Sequence, residues 1–447
     1  MKNHYLTLSA ALLMLGASLP SQAFDLVSAW QAARDYNADF AASRAQRDAG
    51  QEKLVQGRSQ LLPQINASGS YTYTNPLQPS AIETTAGNSV VNVPNARYEN
   101  HGYNVGLQQP LFDVGKYTGY KKGKIATELA DTTFDAAEQQ LILDISQAYF
   151  DVLRAQDTLA ATRASKKTYL NLLQQAKTAF EVGTATITDT NEAQAGYDGA
   201  VAQEISDANN LELAQNNLKR LTGLDPAGIQ TVREQLPLDP PKPAGLDAWQ
   251  DMAQRSSLRI KSAEQNLQLA EQTVNEKRGN HLPTVSLNAG YSDQISNQYG
   301  SYPHTRGSNI GVTVNVPLFA GGGINSQVRE AVALREAARD QLESSRRQVK
   351  EDVRKAFLGV TNGAALVRAQ QQLLVSAKSK VESTRLGKEV GIRTNIDLLQ
   401  AEQAYYTAQT SLANAKYNYL TARLALAQSA SQLAPQVLTD INQLIVR

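Results

Sequence analysis

The chain has 447 residues, with 43 Lys and Arg against 42 Asp and Glu and a formal net charge of +1, so it lacks the basic excess that nucleic-acid binding demands. It has no cysteine, which rules out disulfides, thiol catalysis, zinc thiolate sites and a lipid-modified cysteine. Its cleanest apolar stretch, Leu6 to Leu19, is shorter than the roughly 20 residues that a membrane-spanning helix needs.

Residues 1–23 read as a secretory signal peptide. Lys2 precedes the apolar stretch, and Ser21-Gln22-Ala23 sets small residues where a signal peptidase reads. The mature chain is expected to start at Phe24, exported and without a helical anchor. A helix is expected over roughly Asp25 to Leu61, followed by a strand over 64–74 in which Ile65, Ala67, Gly69, Tyr71 and Tyr73 alternate with Asn66, Ser68, Ser70, Thr72 and Thr74. Asn75 to Asn100 forms a long polar hairpin, and a second strand over 103–112 alternates Tyr103, Val105 and Leu107 with Asn104, Gly106 and Gln108.

No proline interrupts 115–181, which predicts a helix of about 65 residues and about 100 Å at 1.5 Å per residue. Ile145, Val152, Leu159 and Leu173 follow a heptad that Lys166 interrupts, the mark of coiled-coil packing. Val182-Gly183 ends that helix, and Thr186-Ile187-Thr188-Asp189 opens a shorter one over 188–221 with the pattern of a capping box. The proline-rich segment 222–245 connects to a second copy of the same order.

In that copy, 246–430, a helix over 246–281 leads to strands over 284–292 and 308–319, a long helix over 322–389 and a shorter one over 396–430. The 431–447 tail is expected to join the connecting segment. The copies share landmarks: Leu62-Pro63-Gln64-Ile65 returns as Leu282-Pro283-Thr284-Val285, Gln109-Pro110-Leu111-Phe112 as Val316-Pro317-Leu318-Phe319, and Val182-Gly183 with Asp189 as Val390-Gly391 with Asp397. Val353, Val360, Val367, Leu374 and Val381 carry the heptad of the second long helix, and Leu398, Tyr405, Leu412, Tyr419, Leu426 and Leu433 that of its partner.

Alternation alone also describes a soluble sheet with one face on a core. Three features point to membrane strands instead. The segments have about the 9 to 11 residues of a tilted membrane strand, Tyr71, Tyr73, Tyr103 and Tyr291 lie near strand ends on the apolar face, and Phe112 and Phe319 sit where strands return to helix, as an interfacial girdle does. Four strands cannot close a barrel, and open edges find no water in hydrocarbon. Two copies supply eight strands with a filled interior, whereas three supply twelve and begin to leave a lumen. The expected architecture is an α+β membrane protein, a trimeric twelve-strand transmembrane β-barrel continued by a twelve-helix α-barrel of coiled coils.

No catalytic, metal or cofactor site is expected. His101, His281 and His304 are isolated, and Gly321-Gly322-Gly323 lacks the Lys-Ser/Thr of a phosphate loop. Three function classes remain at this point: a transport duct, an outer-membrane enzyme, and a trimeric structural, adhesive or receptor protein.

The Leu-Pro strand starts, the Gln-Pro-Leu-Phe strand end, the Val-Gly-x-x-Thr turns and Asn217-Leu218-Lys219-Arg220-Leu221-Thr222-Gly223, in duplicated order, resemble the TolC family of outer-membrane exit ducts across the mature chain. The resemblance implies a homotrimer in outer-membrane lipid that extends into the periplasm and passes drugs or type I secreted proteins. It implies two partners, a periplasmic adaptor (membrane fusion) protein and an inner-membrane transporter, with the adaptor docking at the tips around Val182, Gly183, Val390 and Gly391. It also implies a gate, in which Arg393 ties its coiled coil to Thr188 and Asp189 of the neighbouring one and Asp397 forms an acidic ring. The chain departs from the family at Gln400, where a second aspartate is common, and at Lys388, where a tyrosine supports the closed state; Lys388 is expected to pair with Asp189. Three carboxylates near one axis are expected to raise one another's pKa. Relatives devoted to drug efflux often carry a lipid anchor, and the absence of a cysteine to carry one here favours the branch that serves protein secretion or serves both cargoes.

Overall fold

The computed structural model describes residues 24–75, 80–83, 90–93, 98–233, 235–297 and 303–445. The signal peptide and most of the polar hairpin lie outside the described residues. The elements run α1 (Leu26–Tyr36), α2 (Ala38–Ser59), β1 (Gln64–Thr74), β2 (Ser80–Glu83), β3 (Val90–Val93), β4 (Tyr98–Phe112), α3 (Val114–Glu181), α4 (Ile187–Thr222), α5 (Leu246–Ser256), α6 (Leu258–Gly279), β5 (Thr284–Asn297), β6 (His304–Asn315), α7 (Gly323–Glu389), α8 (Asn395–Ser429) and α9 (Pro435–Asn442). They fall into two compact units, one of Ala42–Ala137 with Met252–Glu351, the other of the chain up to Ala41 with Glu138–Asp251 and Asp352–Arg447.

The helix expected before each strand pair comes in two pieces. Asn37 has extended backbone and ends α1, while its side-chain Oδ1 accepts from Phe40 N at 2.9 Å and so caps α2. Ser257 breaks the second copy between α5 and α6 at the same place in the order.

In the first-named unit β1, β4, β5 and β6 form one antiparallel sheet in that order. The two repeats meet at β4 and β5, where Val105 stands opposite Tyr291 and Leu107 opposite Ala289. Ala67 pairs with Val105, and Ala289 with Ile310, so one face is apolar across all four strands. The other face is polar, with Ser68 opposite Asn104, Gln108 opposite Asn288, and Asn288 Nδ2 donating to Thr313 Oγ1 at 3.0 Å. Nothing among the described residues covers the edge strands: Ile65 is 68% exposed on β1 and Ile310 76% exposed on β6. A soluble sheet buries one face on a core. Among the described residues this sheet leaves apolar and polar faces of its edge strands open, with β1 and β6 unpaired on their outer sides.

β4 and β5 are longer than their alternation indicates, and β6 ends earlier, at Asn315. Pro317 has no N–H for a ladder bond, so Phe319 lies beyond the sheet, 90% exposed. Pro110 occupies the matching place in β4, where the register shifts between Pro110 and Phe112 and a bulge accommodates it.

The second-named unit is built from the heptads. Ile145, Val152, Leu159 and Leu173 are buried, as are Val353, Val360, Val367 and Val381 and, on α8, Leu398, Leu412, Tyr419 and Leu426. Lys166, the interruption in the row, reaches across to Glu204 of α4 as an ion pair. Fully buried, Tyr149 anchors the connecting segment: its hydroxyl donates to Gln230 O at 2.7 Å, and its ring meets Phe24 edge-on. Burial pushes its pKa up. The tail joins that layer through α9 and the bridge between Val232 and Ile445. No helix among the described residues is long and apolar enough to cross a membrane.

Candidate gate site at the helix turns

Both long helices end in the same hydrogen-bonded turn. After α3, Gly183 takes φ +75°, and Thr184 N and Ala185 N donate to Ala179 O at 2.8 and 3.2 Å. After α7, Gly391 takes φ +80°, and Ile392 N and Arg393 N donate to Gly387 O at 2.9 and 3.1 Å. Left-handed φ at these two positions carries a Cβ penalty for any other residue type. Val182, Val390 and Ile392 stand 68%, 64% and 78% exposed around the turns, giving each tip an apolar surface.

The two capping boxes are complete. Thr186 N and Oγ1 both donate to Asp189 Oδ2, at 2.9 and 2.8 Å, and Asp189 N donates back to Thr186 Oγ1 at 3.1 Å. Thr394 and Asp397 repeat the arrangement at 2.9, 2.9 and 3.2 Å. In each carboxylate one oxygen accepts both cap bonds, and Oδ1 accepts no hydrogen bond among the described residues. Capping and a second contact at the tip are therefore compatible for both residues.

The caps hold both carboxyls below the usual aspartate range. For Asp189 the main cause is the Thr186 backbone N–H, with help from Lys388; for Asp397 it is the Thr394 N–H, with a smaller pull from Arg393. Within one chain the direction is thus opposite to the rise expected of a three-carboxylate ring, because the cap bonds favour the charged form.

Lys388 does not pair with Asp189 as expected. Its ammonium donates to Asn395 Oδ1 at 2.9 Å. Burial lowers its pKa, and the charge of Asp189 opposes that shift without a direct bond. Thr188 and Arg393 are exposed, and the Arg393 guanidinium has no hydrogen-bond or ion-pair partner among the described residues. Gln400 lines a groove between α7 and α8 with Gln370, Leu373 and Lys380.

Two contacts near the tips had no local signature in the sequence. Arg385 donates to Glu402 at 2.9 Å, and Glu402 is buried at 3% exposure. Tyr169, Leu172, Ala200 and Leu398 form one apolar cluster that joins the α3–α4 hairpin to the start of α8. Only the folding back of both hairpins brings these residues together.

The family model described as outer membrane efflux protein matches residues 29–224 and 249–432, one segment for each repeat. The chain belongs to the outer membrane efflux protein family. It is 33% identical to outer membrane protein TolC of Escherichia coli over 441 residues, 96% of this chain and 86% of that one. It is 32% identical to alkaline protease secretion protein AprF of Pseudomonas aeruginosa over 403 residues, 90% of this chain and 83% of the relative. Its fold is that of the CmeC outer membrane channel of Campylobacter jejuni, with TM-score 0.77, 18% identity and coverage of 94% and 90% of the two chains. The protein is an outer-membrane exit duct that extends into the periplasm, and not an enzyme. Channels of this family assemble as trimers in tripartite efflux systems.

Proposed function

We propose that three copies of this chain form a gated export duct that passes secreted proteins, and drugs as a second cargo, from an inner-membrane transporter to the exterior. In this reading β1 of one copy pairs with β6 of the next, closing the open edges into a twelve-strand barrel, and the coiled coils make a tunnel shut at the tips. Arg393 of each copy binds Thr188 and the unused oxygen of Asp189 on its neighbour, and three Asp397 carboxylates ring the opening. The apolar tips at Val182, Gly183, Val390 and Gly391 receive the periplasmic adaptor, which opens the duct by binding the open state more tightly than the closed one.

The observation that carries the gate is an exposed arginine without a partner among the described residues, matched by a capped aspartate whose second oxygen accepts no hydrogen bond among them. A charge-assisted hydrogen bond between them is among the stronger polar contacts available at a protein surface. The protein-secretion cargo rests on the similarity to AprF, a protease secretion protein. The test of the gate is conductance in planar bilayers: Arg393→Ala should raise the conductance of the purified closed channel. Wild-type conductance in that variant refutes the latch and leaves Arg393 a solvated cation.

A further inference from the structure

The latch proposed above depends on where Arg393 points, and the following inference rests on that reading. Arg393 carries a long flexible side chain with no partner among the described residues to hold it. Its stem, however, is not free. A Cβ built at Gly387 would lie 2.7 Å from Arg393 Cγ and 3.4 Å from Arg393 Cβ. The Cγ distance is a clash while the Cβ distance is ordinary contact, and since χ1 sets where Cγ lies, relieving the clash rotates χ1 and redirects the guanidinium. The Arg393 backbone is tied to the same residue, through its N–H to Gly387 O at 3.1 Å.

The first repeat provides an internal control. There Ala179 stands where Gly387 does, and Ala185 where Arg393 does, and the turn makes the same pair of bonds to the Ala179 carbonyl. The backbone of this turn therefore folds with alanine at the position. Gly387 lies inside α7, where alanine is the better helix former. Neither the turn nor the helix calls for glycine. The turns also differ at Phe180 and Lys388 and at Thr184 and Ile392, but Arg393 is the residue whose stem sits against the glycine.

We propose that Gly387 is a positioning residue for the gate: its missing side chain forms the notch that seats the Arg393 stem and fixes the direction of the guanidinium toward the neighbouring chain.

The experiment compares four full-length channels in planar bilayers: wild type, Arg393→Ala, Gly387→Ala and the double variant, each first checked for an intact trimer. Gly387→Ala should raise conductance by roughly the same factor as Arg393→Ala, and the double variant should match Arg393→Ala alone, because the added methyl acts only on an arginine that is present. If Arg393→Ala conducts like wild type, the latch itself fails and the role of Gly387 falls with it. If Arg393→Ala raises conductance and Gly387→Ala does not, the latch stands and the positioning role is overturned. A double variant more conductive than Arg393→Ala assigns Gly387 an effect on the hairpin independent of Arg393, which also overturns it. Gly387→Ser repeats the comparison if alanine disturbs assembly.

Discussion

Replacing Thr394 by alanine removes the hydroxyl at the centre of the second capping box while leaving every charge at the tip in place. Two hydrogen bonds go: the one from Asp397 N to Thr394 Oγ1 at 3.2 Å and the one from Thr394 Oγ1 to Asp397 Oδ2 at 2.9 Å. The bond from Thr394 N to Asp397 Oδ2 remains available. Loss of a threonine cap costs about 1 kcal/mol, within a span of roughly 0.5 to 2, and since about 1.4 kcal/mol is a factor of ten, the frayed population of the first turn of α8 should rise about fivefold. Two assays read that population. Hydrogen exchange should speed up by about that factor for amides of the Asn395–Leu398 turn, and trypsin should cut faster after the exposed Arg393, since cleavage follows the open population when opening is fast. Thr394→Ser keeps the hydroxyl and should stay near wild type. Unchanged exchange in Thr394→Ala, or an equal change in Thr394→Ser, would refute the claim that the box holds the tip.

The remaining predictions concern pH and cargo. Asp189 and Asp397 have folded-state pKa values below their ordinary value, so their cap contribution is complete above the usual aspartate range and is lost only as pH falls through a folded value lower than the unperturbed 3.8. Block of the channel by multivalent cations at the Asp397 ring should therefore be the same at pH 7 and pH 5; block that fades over that interval would show that repulsion within the ring outweighs the caps. A host deleted for the chain should lose a large protein from its culture supernatant as well as gain sensitivity to detergents and antibiotics. Drug sensitivity with a normal supernatant would reassign the duct to efflux alone.

Much of the fold could be read from the chain because its signals are local and periodic. The strand pairs follow from side chains alternating at period two, the long helices from proline-free heptads, and the turns from Val-Gly followed by Thr and Asp. Each of these depends on residues within a few positions of one another. The breaks at Asn37 and Ser257 leave no mark in the pattern because each residue acts through its own backbone angles and, at Asn37, one side-chain cap, without interrupting the helical composition around it. The end of β6 at Asn315 is not legible because the Pro-Leu-Phe motif is shared with β4, where a bulge lets the strand continue through the proline.

At the candidate gate the sequence determined which residues cap the turns, since a capping box is a spacing of three, and it located Asp397 by its place in the repeat, whereas Arg393, which has Ala185 as its counterpart, is singled out only by the family resemblance. The tertiary structure decided what each side chain touches. It turned the Lys388 ammonium to Asn395 rather than Asp189, buried Glu402 beside Arg385, joined the repeats through β4 and β5, and set the Arg393 stem on Gly387. These choices follow from how two hairpins and a sheet close over long separations in the chain. Several partners of suitable chemistry lie within reach in the sequence, and only packing in three dimensions selects among them.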